Sequence, residues 1–145
     1  YDQTSISETT WYDKANGNNG AVTGASVLNQ PVNDEHKGII VNGGFLNIGT
    51  STELTISGGV VTATGSFHNI DTEADAASDD LDTINGGKDG DILVLTAASS
   101  SRTVVYKDNS GNMSLVGDFS ADLASDTLVL IYLGGWREIS RSDNG

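Results

Sequence analysis

Between Lys37 and Asp71, short apolar runs recur with turn residues between them: Ile39–Val41, Phe45–Ile48, Leu54–Ile56, Val60–Thr62 and Phe67–Ile70. Glycines at 43, 44, 49, 58 and 59 punctuate the runs, and Thr52–Ser57 alternates polar and apolar residues with the period of a half-buried strand. Strands this short are marginal alone, so they are expected to stack or to join equivalent chains around an axis. The pattern predicts a β-prism-like or β-helix-like trimeric stem over residues 38–71.

Residues 72–91 break the pattern with an acidic stretch of small residues, Thr72 to Asp91, which reads as a loop or linker. Beyond it the runs strengthen: Ile92–Leu95, Arg102–Tyr106, Met113–Val116, Thr127–Tyr132 and Trp136–Ile139. Asp108–Gly111 is a turn signal, and Gly134–Gly135 predicts a two-residue hairpin connection. Residues 72–145 are therefore expected to form a β-sandwich or barrel.

Residues 1–37 are polar and rich in Gly and Asn, with scattered apolar anchors such as Ile6, Trp11, Tyr12 and Val22. They predict an extended segment. The opening residue, Tyr1, follows neither a Met nor an apolar leader, which suggests a piece of a longer protein.

Composition makes this all-β picture more demanding. Leu, Ile, Val and Phe supply only about a quarter of the chain, close to the lower limit for autonomous folding. With no Cys to staple it, stability must come from packing or oligomerisation. A formal charge of −13 disfavours nucleic acid and anionic membrane surfaces as partners. The longest apolar run, Leu128 to Leu133, is far short of the roughly 20 residues that span a bilayer, so no membrane insertion is expected.

Phe67–Glu73, Ser78–Gly87 and Asp89–Leu95, followed by Arg102–Val105, Gly111–Asn112, Gly117–Phe119, Asp126–Tyr132 and Trp136–Asn144, resemble a block near the C-termini of bacteriophage tail fibre and tailspike proteins. The resemblance covers roughly the last eighty residues, and Gly43–Ser66 is similar, less specifically, to the strand-turn repeats that precede the block. It implies a parallel homotrimer in a virion appendage, made in the cytoplasm of the bacterial host. The implied partners are other copies of the chain, the rest of the phage fibre, and a bacterial surface polysaccharide or outer-membrane receptor. Similar blocks also occur in head appendages, so the match defines a virion protein more closely than a receptor-binding tip.

Enzyme chemistry finds little support. The two histidines, His36 and His68, are not accompanied by a Gly-x-Ser-x-Gly elbow. Among twenty acids a close carboxylate pair is inevitable in any folded trimer and hence uninformative about glycan cleavage. No catalytic residue and no cofactor is assigned.

His68 is the sharpest metal candidate, because three copies near a trimer axis would gather three imidazoles; the alternative is a hydrogen-bonded residue at a strand end. The acidic stretch, with Asp79 and Asp80 at its centre, offers oxygen ligands of the kind Ca²⁺ prefers without the register of an EF-hand. Its alternative is a turn at Asp79–Asp80 with solvated acids, while Leu81 and Ile84 enter the core. Trp11 and Tyr12 are candidate glycan contacts or inter-subunit anchors. Arg102, Arg137 and Arg141 are expected to pair with carboxylates, within or between subunits.

The sequence thus predicts a trimeric tail fibre or tailspike domain for attachment to a host surface glycan. Its alternatives are a purely structural trimerisation or capping domain, such as part of a head decoration fibre, and a fragment of a polysaccharide depolymerase.

Overall fold

A computed structural model describes residues 44–145, together with the backbone of two short strands, β1 (Thr10–Tyr12) and β2 (Asn19–Ala21). The chain divides into two units at residues 43 and 44. In the first unit β1 and β2 pair antiparallel, with Trp11 opposite Gly20 and Tyr12 opposite Asn19.

The second unit is all-β, and no α-helix occurs among the described residues. Its strands are β3 (Thr52–Thr55), β4 (Val60–Thr62), β5 (Phe67–Asp71), β6 (Ser78–Leu81), β7 (Thr83–Asn85), β8 (Ile92–Ala97), β9 (Thr103–Tyr106), β10 (Met113–Ser114), β11 (Phe119–Ala121), β12 (Thr127–Tyr132) and β13 (Trp136–Ser142).

These strands stack in the manner of a β-solenoid. β3, β5 and β8 lie side by side and parallel, Thr52 opposite His68 and His68 opposite Leu95. β4 runs parallel to β7 and β6 parallel to β9, so successive turns of chain lie on one another along three faces. The stacking of successive turns ends at the third, beyond which β10 forms only a short parallel edge pair with β13. β11 then pairs antiparallel with β9, and the β12–β13 hairpin adds antiparallel to β8, closing that end of the stack.

One apolar core fills the interior, from Ile56 to Trp136. The period-two pattern puts alternate residues into it: Leu93, Leu95 and Ala97 from β8, Val104 and Tyr106 from β9, Leu128 and Leu130 from β12. Burial of each such large side chain is worth roughly 1.5–3 kcal/mol.

Three expectations are corrected. The acidic stretch is not simply a loop: Ser78–Leu81 and Thr83–Asn85 are strands, because each contributes one fully buried side chain, Leu81 and Ile84. Between them the chain turns a corner, where Asp82 and Thr83 both donate their N–H to Gly59 O (2.8 and 3.1 Å). That corner resets side-chain parity and hides the alternation. Phe45–Ile48 is not a strand, although its composition favours one. The β12–β13 connection holds three residues, Leu133–Gly135, since Tyr132 is opposite Trp136 and Gly134 takes a left-handed φ of 71°.

β13 carries a bulge. Leu130 faces Glu138 while Val129 faces Ser140, leaving Ile139 unpaired and exposed. Residues three apart on a regular strand point to opposite faces, but the extra residue brings Glu138 and Arg141 to the same one. There Arg141 Nε is 2.6 Å from Glu138 Oε1, and its guanidinium lies 5.0 Å from the Phe119 ring centroid.

Candidate functional site

A groove of about 240 Å³ opens where the first two turns of chain meet the closed end. It is lined by Ala63–Ser66, which join β4 to β5, by Gly86 after β7, by Asp91 and Ile92 at the start of β8, and by Trp136 at the start of β13.

The groove's wall is built by His68. The ring is 1% exposed, and Nε2 accepts the backbone N–H groups of Thr64 and Gly65, both at 3.1 Å. Because those partners only donate, Nε2 carries the lone pair and Nδ1 the proton, which reaches Thr52 O at 3.1 Å. Thr52 Oγ1 is also 2.7 Å from Nδ1. The imidazole thus ties the strand before the groove to the turn that forms it, and both nitrogens are used within the chain.

The floor depends on close backbone approach. At Gly86 (φ 97°), a Cβ would lie 2.3 Å from Ala63 O, so no other residue fits without moving the strand. Ala63 N–H donates to Asn85 O at 2.9 Å. Trp136, 2% exposed, donates its indole N–H to Ile84 O at 2.9 Å and meets Tyr132 edge-on with centroids 5.1 Å apart.

At the groove's mouth, Asp91 accepts the Lys88 N–H through Oδ2 at 2.9 Å, and Ser66 and Thr64 bring hydroxyls. The lining residues thus combine a carboxylate, two hydroxyl-bearing side chains and the apolar Ile92. Such a surface suits a neutral polyhydroxylated ligand and disfavours an anion.

Neither of the other predicted metal ligands meets His68. Asp79 holds the 72–76 turn, accepting the Glu73 N–H at 2.8 Å through Oδ2 and the Asp80 N–H at 2.9 Å through Oδ1, whereas Asp80 is exposed. That turn contains Ala74 and Asp75 at φ of 52° and 57°, costing of order 1–3 kcal/mol each for residues with a Cβ. Arg102 compensates, bonding Asp75 Oδ1 at 2.8 Å and gripping Asp71 through Nε and Nη2 at 2.8 and 2.9 Å. Arg102 and Arg141 therefore pair with carboxylates of their own chain. Trp11 and Tyr12 fall on β1, and their side chains lie outside the described residues.

The sequence reading missed another carboxylate group, in which oxygens of Asp122, Asp126 and Asp143 all lie within 4.8 Å of one another. Asp126 is fully buried. Burial alone would push its carboxyl up, but N–H donors from Asn144, Leu123 and Asp122 prevail and hold it below the ordinary carboxylate range. Asp122 and Asp126 sit in the β11–β12 corner while Asp143 comes from beyond β13, so the full group has no contiguous motif. Glu138 is likewise held low, chiefly by Arg141 and further by the Val116 N–H.

Tyr106, stacked on Phe119, is fully buried with no partner for its hydroxyl, and burial followed by the charge of Asp126 pushes its ionisation far up. It serves as core.

No protein-family model and no curated protein matches the chain.

Proposed function

We propose that this chain is the trimerising distal part of a bacteriophage tail fibre or tailspike, which attaches the virion to a bacterial surface polysaccharide or outer-membrane receptor. In this reading the chains form a parallel homotrimer, and residues 72–145 form a sandwich-like closing module. The family resemblance of the last eighty or so residues motivates the phage assignment. The observation that supports attachment is the groove lined by Ala63–Ser66, Gly86, Asp91, Ile92 and Trp136, whose residues combine hydroxyl-bearing, carboxylate and apolar side chains of the kinds that bind sugars.

Attachment without catalysis asks little of each site. Several identical grooves per trimer, and several fibres per particle, would turn weak individual contacts into stable adhesion.

Labelled protein incubated with bacterial surface polysaccharides is expected to bind one of them saturably and to be displaced by the free glycan. Asp91→Ala should weaken binding about tenfold, the loss of a charge-assisted hydrogen bond of roughly 1.4 kcal/mol. Binding that Asp91→Ala leaves intact would remove the groove from the proposal. Absence of binding to any polysaccharide or host cell would favour a structural capping domain, the role that the antiparallel closure at β11–β13 already suits.

A further inference from the structure

We infer that residues 44–51 are a strap by which one copy of this chain grips another. The inference rests on the homotrimer reading and names the surface that reading requires.

Three observations converge on the strap. Its apolar side chains face solvent: Phe45 is 98% exposed, Leu46 62% and Ile48 40%. Elsewhere among the described residues, exposed large hydrophobics such as Val116 and Ile139 are scattered through the C-terminal part of the chain; here three occur within four positions.

The strap also leads directly into the open end of the stack. β3 is the terminal strand of its sheet and presents an unpaired edge among the described residues, whereas the outer edge of β4 is taken up at Val60 by Ser57. An open edge beside an apolar strap is a template for another chain, and a rotation axis would bring identical surfaces of this kind together.

Charge selects the occupant. Each copy carries −13, yet Gly38 to Thr52 contains no Asp, Glu, Lys or Arg. A cationic partner would seek the acidic faces. A second copy, repelled by them, can approach closely only where acid is missing. The strap is such a place, and its partner is accordingly the same chain.

Sedimentation of the whole 145-residue chain measures this directly. The wild type should sediment at about three times 15.1 kDa, and Phe45→Glu at 15.1 kDa with its β circular dichroism unchanged. Since the chain has no Cys, Phe45→Cys supplies a single thiol, and mild oxidation should join two chains. Val116→Cys, also strongly exposed but at the closed end, should not crosslink. Should Phe45→Glu unfold, the Phe45→Cys crosslink decides.

If Phe45→Glu assembles like the wild type, or Phe45→Cys remains uncrosslinked, the strap is wrong and the trimer stands. A wild type that remains a single folded chain overturns the strap and the trimer together, while glycan binding keeps its separate assay.

Discussion

The two ends of the stacked unit are built to opposite rules. At the β11–β13 end the chain reverses, adds antiparallel strands to β9 and β8, and satisfies its corner with buried Asp126 and the Glu138–Arg141 pair. At the β3–β4 end it stops stacking with the β3 edge open among the described residues, Leu54 half-buried and the apolar strap exposed. A solenoid has no intrinsic terminus, because each turn needs a neighbour on both sides. The contrast teaches that, among the described residues, one end is finished by chain reversal and polar pairing, while the other leaves the β3 edge without a neighbour.

The contrast is most readily broken by matched truncations. Leu130→Ala, in the closed core, should cost about 2–5 kcal/mol in urea unfolding. Leu54→Ala should cost about 1 kcal/mol in the isolated chain. Equal losses at both positions would mean that the open end is as well covered as the closed one.

Next in size is the backbone contact beneath the groove. Gly86→Ala would drive its Cβ into Ala63 O and is expected to destabilise by about 2 kcal/mol or more, lowering the melting temperature. An unchanged melting temperature would show that β4 shifts freely, as a strand of an open end can.

Asn112 offers a finer probe. Its side chain accepts from Ile84 N–H at 3.0 Å and donates to Ile84 O at 2.7 Å, taking the place of a backbone rung beside β7. Asn112→Ala leaves the Ile84 N–H without that acceptor and should cost about 1–3 kcal/mol by denaturant titration. Since Ile84 O keeps the Trp136 indole, a loss near the lower figure is expected.

The smallest effect concerns acid. Asp126 and Glu138 have folded-state pKa values below their unfolded ones, so their contribution is present above the ordinary carboxylate range and is lost as pH falls through the lowered folded values. The melting temperature should hold down to about pH 5 and decline below about pH 4, and Asp126→Asn should flatten that decline. A decline unchanged in Asp126→Asn would place the acid-sensitive group elsewhere.

Strands that alternate over four or more residues, β8, β9 and β12, were legible from sequence because one face reads directly as core. β6, β7 and β11 were not, since each is short and bounded by corners that reset the period, although Leu81 and Ile84 themselves read as core residues and are fully buried. Phe45–Ile48 misled for the converse reason: its pattern suits burial, yet its apolar side chains are exposed. Of the candidate site, His68 was singled out for its chemistry, but its actual work, holding the Thr64–Gly65 turn, depends on backbone donors that no side-chain pattern displays. The groove itself joins residues from 63 to 136 and has no contiguous signature.

The bulge at Ile139 also bears on how this chain can change in length. With Glu138 opposite Leu130 and Ser140 opposite Val129, excision of Ile139 would leave an unbroken ladder, and Glu138 and Arg141 would still share a face at the ordinary spacing of two. Position 139 is thus a place where a codon can be gained or lost while every residue on either side keeps its partner, a point of tolerance set inside an otherwise rigidly indexed strand.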